Sequence, residues 1–109
     1  MNKRLSEMTD HEINVAVAEK LGLKFSKVKH ISPSIIVEVD TFKKAILVNY
    51  CKPSAESMQL MIDNKIQLSF DEYQKEWDAD SRHNERFCSN ENPCRAIAMC
   101  FLMTKGREL

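Results

Sequence analysis

The stretch Asn92–Gly106 reads NPCRAIAMCFLMTKG. Asn92 is a residue that caps helix N-termini, and Pro93 suits the first helical position, where a missing N–H costs nothing. Gly106 supplies a left-handed stop. Between them Ala96–Met103 forms an unbroken apolar run of eight residues. A membrane span needs about 20 such residues. A short helix that is apolar all round belongs in a protein interior. The stretch therefore predicts a core helix, and the rest of the chain has to cover it. Arg95, polar among apolar neighbours, reads as a solvent or interface arginine at the start of that helix.

The elements that could do the covering are legible upstream. Thr9 and Glu12 make a T-x-x-E capping box, and Asp10 places a further acid in the first turn. Ile13, Ala16, Val17 and Leu21 then fall on one helical face, with Met8 positioned as a staple and Gly22 as the stop. A β region follows. KFSKVKHI (24–31) is a weak strand candidate, IIVEVD (35–40) alternates well, and KKAILVNY (43–50) suits a strand. The DTF between the last two predicts a hairpin. Ser54 caps a second helix whose face is expected at Ala55, Met58, Met61 and Ile62, with Asn64 closing it in a left-handed conformation. IQLSF (66–70) alternates as a half-buried strand. The polar segment 71–86 reads as a loop, with a short strand around Trp77 and another near 86–88. The expected fold is α+β: a small, mostly antiparallel sheet packed by about three helices, with an α-β-α sandwich as one form of it.

The chain has 109 residues, enough for one domain with one core and no metal or disulfide support. Sixteen basic residues balance sixteen acidic ones. That balance argues against a dedicated nucleic-acid binder, which carries a basic excess. The beginning MNKRLSEMTD has no apolar region behind it, so no signal peptide is expected and the expected compartment is the cytoplasm. There Cys51, Cys88, Cys94 and Cys100 are expected to be thiols.

No motif fixes a chemistry. Zinc sites favour C-x₂₋₄-C pairs, whereas five residues separate Cys88 from Cys94 and Cys94 from Cys100. With His83 a Cys/His metal site remains one reading; buried packing thiols are the other, and the expectation is no metal and no cofactor. Cys94 in the first turn of the last helix is the one thiol placed for activation, with His83 as a base, yet no nucleophile signature surrounds it. His11, His30 and His83 are scattered. Two glycines in the whole chain nearly exclude phosphate-cradling loops. Charge is separated: Lys20, Lys24, Lys27 and Lys29 form a candidate basic patch, and Asp71, Glu72, Glu76, Asp78 and Asp80 an acidic one. Trp77 is either a core anchor or an interface residue.

Several stretches, in order, resemble one family. They are Glu12-Ile13-Asn14 at the first helix, Tyr50-Cys51 before the second, the turn Asn64-Lys65-Ile66, the isolated Trp77, and Asn92-Pro93-x-Arg95-Ala96. Together they look like the NinX-like family of small phage and prophage proteins. The likeness covers most of the chain and is least from Lys24 to Lys44. More distantly the layout is similar to a phage domain built as an α-β-α sandwich. The resemblance implies a temperate-phage accessory product in a bacterial host cell and supplies no activity. The expected function is a non-catalytic protein-interaction module that binds a host or phage protein, with a homodimer as one form and no membrane contact. Glu12, Asn14, Trp77, Asp78 and Arg95 are the candidate interaction surface. The alternatives are a nucleic-acid-associated factor using Lys20, Lys24, Lys27 and Lys29, or an inhibitor of a host defence system.

Overall fold

The computed structural model describes residues 3–26, 31–38, 45–82 and 85–109. A 3-10 turn at Leu5–Glu7 precedes α1 (Asp10–Lys20). Then come β1 (Lys24–Ser26), β2 (Ile35–Glu38), β3 (Ala45–Val48), α2 (Ala55–Asp63), β4 (Gln67–Asp71), β5 (Glu76–Ser81), β6 (Arg86–Asn90) and α3 (Pro93–Thr104). The class is α+β, and the order of helices and strands is the expected one. The strands divide into two antiparallel sheets, ordered β1-β2-β3 and β4-β5-β6.

Helix α3 is the hub. One flank packs on β5 and β6, and others on α1 and α2. Cys94 and every residue from Ala96 to Leu102 is buried, as an apolar-all-round helix requires. Helix α1 links this centre to the first sheet by packing on β1 and β2. Its capping box forms as the sequence predicts: the Glu12 N–H donates to Thr9 Oγ1, and the Thr9 N–H to the Glu12 carboxylate. At its other end Gly22, at φ 72°, lets the Leu23 N–H reach the Ala18 carbonyl and its own N–H reach Glu19. These two bonds satisfy the last carbonyls of the helix.

Four local expectations need correction. The segment 71–80 is strand for most of its length: Glu76–Ser81 is the central strand of the second sheet, because Trp77, Ala79 and Ser81 turn inward and Glu76, Asp78 and Asp80 turn outward. Helix α2 is rotated by about one residue, or about 100°. Ser57 and Leu60 are buried, while Met58 and Ile62 are 53% and 58% exposed. Leu21 leaves the core face of α1, because the helix is already turning into its cap there, and it is 42% exposed. The left-handed residue after α2 is Lys65 (φ 52°); Asn64 instead donates from its side chain to the Leu60 carbonyl. The expected DTF turn and the residues 27–30 of the weak first strand lie outside the described residues.

Candidate functional site

The candidate residues at the two helix starts are drawn into one internal network. Arg95 stands in the first turn of α3 with its side chain only 13% exposed. Its Nη1 donates to Asp10 Oδ1 at 2.6 Å, and its Nη2 to the carbonyls of Met8 (2.5 Å) and Leu5 (3.3 Å). One planar guanidinium thus ties the start of α3 to the start of α1 and to the preceding turn, a task that needs several fixed donors. The reading of Arg95 as a solvent or interface residue is corrected accordingly.

Asn14 is fully buried. Its amide donates to the Pro33 carbonyl (2.8 Å) and to Asn49 Oδ1 (3.0 Å), and its Oδ1 accepts from the Tyr50 N–H at 2.7 Å. Asn49 in turn accepts from the Cys51 N–H. Asn92 Oδ1 caps α3 by accepting from the N–H groups of Cys94 and Arg95, and its amide donates to the Cys51 carbonyl at 2.8 Å. Asn14 and Asn92 therefore hold the two ends of the turn before α2. Buried amides stitching irregular backbone in this way are structural, since every orphaned donor inside a core costs stability.

Glu12 is the solvent-facing member of the group. The Thr9 backbone N–H and the ammonium of Lys3, 3.1 Å away, hold its carboxyl below the usual range. Trp77 lies across the register from Phe70, with ring centroids 5.2 Å apart in an edge-to-face arrangement. It is half-buried, on the sheet face turned toward α3. Asp78 is on the opposite face and accepts from Ser89 Oγ at 2.6 Å across the strand. Lys20 and Lys24 are exposed; Lys27 and Lys29 lie outside the described residues. Trp77 and Asp78 thus point to opposite faces of one sheet, and neither joins the bonds around Arg95.

The four cysteines are buried free thiols. Burial pushes Cys51 up to about 12, with the Asp10 carboxylate adding to the effect and Arg95 opposing it. Burial likewise raises Cys88 to about 12 and Cys100 to about 11. Thiols held in that range are poor nucleophiles at neutral pH. Among the described residues no three His, Cys, Asp or Glu side chains gather as a metal site would need; His30 and His83 are outside them.

One apolar-floored groove escaped pattern reading. Its floor is Tyr50, Leu60 and Phe101, and its mouth holds Leu21. Lys20 at the end of α1 and Lys105 just after α3 form one wall; Glu56 and Asp63 of α2 form the other. The signal for it in the sequence is faint: helix periodicity counts Leu21 as core, and only the tertiary arrangement brings the C-terminal ends of α1 and α3 beside α2.

Among protein-family models, the one described as bacteriophage P22, NinX, matches residues 4–105. No curated protein and no solved structure matches the chain.

Proposed function

Because the chain belongs to the bacteriophage P22 NinX family and is a phage accessory protein, we propose that it works as a non-catalytic protein-interaction module in the cytoplasm of the bacterial host. The observation that carries this reading is the exposure of large apolar side chains on regular, well-packed elements. Met58 and Ile62 project from α2, and Phe87 from the outer face of the second sheet beside Asp80. Exposed apolar groups at fixed positions are what a partner surface can bury. Asp78 and Asp80 around Phe87 add a polar rim with a sign, which selects among partners more than it tightens binding.

The nucleic-acid reading draws on Lys20 and Lys24, both exposed. Lys20, however, shares its groove with Glu56 and Asp63, which lowers the positive potential there. Inhibition of a host defence protein is one form of the protein-binding reading, and plaque counts in defended and undefended hosts distinguish it.

Affinity capture from host extracts, prepared with and without phage and with and without nuclease, tests the proposal. A defined protein retained in stoichiometric amount is the expected result. Retention of nucleic acid alone at physiological salt, lost on nuclease treatment, overturns it.

A further inference from the structure

The groove between α1, α2 and the end of α3 has a volume of about 340 Å³. Three features of it bear on what it binds. First, its charged walls form no ion pair among the described residues. Lys20 and Lys105 stand on one side and Glu56 and Asp63 on the other. Asp63 accepts only from Gln59, one turn back on the same helix. Lys105 is steadied above the Phe101 ring at 5.6 Å, at the edge of the apolar floor. Second, the apolar surface continues past the groove. By helical spacing Ile62 lies on the crest of α2 next to Gln59 and Asp63, and Met58 lies one turn before it. Leu21 lines the groove and Ile62 stands on the α2 crest beside Gln59, both side chains exposed. Third, the region carries both halves of a contact: a projecting apolar ridge and a receiving groove, two cations and two anions.

We propose that the occupant is a second copy of the chain, paired about a two-fold axis so that the Ile62 ridge of each copy enters the groove of the other. In such a contact the same patch is used twice, so it has to be complementary to itself. Equal numbers of ammonium and carboxylate groups on opposed walls meet that condition: the lysine wall of one copy faces the acidic wall of its partner. The chain as a whole has no net charge, so two copies approach without mutual repulsion. A basic or an acidic partner would match only one wall and leave the other facing like charge. This pairing goes beyond the interaction-module reading and does not depend on it, since an outside partner can be absent while the chain still pairs with itself.

The test is oligomeric mass by light scattering and sedimentation over a concentration series, with the fold of every variant checked by circular dichroism. The wild type is expected to move from one chain mass to two and no further. Ile62→Glu, at an exposed position that the fold does not need, is expected to raise the dissociation constant about tenfold or more. A charge exchange gives the sharper result. The variant Lys20→Glu/Lys105→Glu and the variant Glu56→Lys/Asp63→Lys should each be monomeric alone and should pair when mixed. A wild type that is monomeric throughout overturns the proposal. So does a dimer indifferent to Ile62→Glu and to both charge variants, a ladder of higher oligomers, or a monomer that takes up a different protein through this groove.

Discussion

Arg95 shows how a polar residue inside an apolar run can serve the fold rather than the surface. Its three bonds reach a carboxylate and two carbonyls far back in the chain. Bonds from a charged donor contribute about 1.5–3 kcal/mol, and the half-exposed Asp10 draws its share toward the low end. Arg95→Ala should therefore cost about 2 kcal/mol in chemical denaturation. Arg95→Lys should recover little of it, since one ammonium cannot span all three acceptors. A loss under about 0.5 kcal/mol would show that the N-terminal turn is held by something else. The sequence marked Arg95 and Asn14 as unusual, and both are. It could not say why, because their partners are main-chain groups: Leu5, Met8, Pro33 and Tyr50 enter these bonds through atoms every residue carries. Pattern reading sees side chains only.

At the scale of elements, helix ends were more legible than helix faces. Thr9, Ser54 and Asn92 all cap as their chemistry predicts. Capping is local, settled within three or four residues. Which face is buried depends on what packs against it. In α2, nine residues long, the phase follows from the way Tyr50 and Cys51 are anchored before it. Two substitutions two residues apart, on opposite faces of the helix, make the point. Leu60→Ala should cost about 2–4 kcal/mol, whereas Ile62→Ser should stay within about 0.5 kcal/mol. Equal losses would restore the face that periodicity alone assigns. The turn after α2 offers a gain: Lys65 sits at φ 52°, where a β-carbon is crowded, so Lys65→Gly should stabilise by about 0.5–1 kcal/mol in thermal melts. The acidic segment hid a strand for a related reason. Asp78 and Asp80 disfavour strands intrinsically, but as the outward residues of a central strand they meet water on one face while Ala79 and Ser81 fill the other.

Across the whole molecule, the buried thiols set a limit on the alkaline side. Cys51 and Cys88 are held at about 12 and Cys100 at about 11, and Tyr50 is raised to about 12 by burial and by the Glu56 charge. Each keeps its proton in the folded chain at a pH where the unfolded chain has lost it. Stability from these groups is complete below about 8.5, the ordinary thiol value, and falls as pH rises from there toward about 12. Denaturation midpoints should decline over that window, and at pH 8 a thiol reagent should reach Cys51, Cys88 and Cys100 only after unfolding. Rapid native labelling of those three would contradict their burial. The hub position of α3 has a consequence in time. Among the described elements, the helix that both flanks of the molecule rely on is made after all the others. Until residues 93–104 have cleared the exit tunnel, α1 and α2 lack the neighbour they pack against, and β5 and β6 have nothing beneath them. A nascent chain stalled before Cys94 emerges should be digested as readily as an unfolded one, and protection should arrive in a single step as the last turn of α3 comes free.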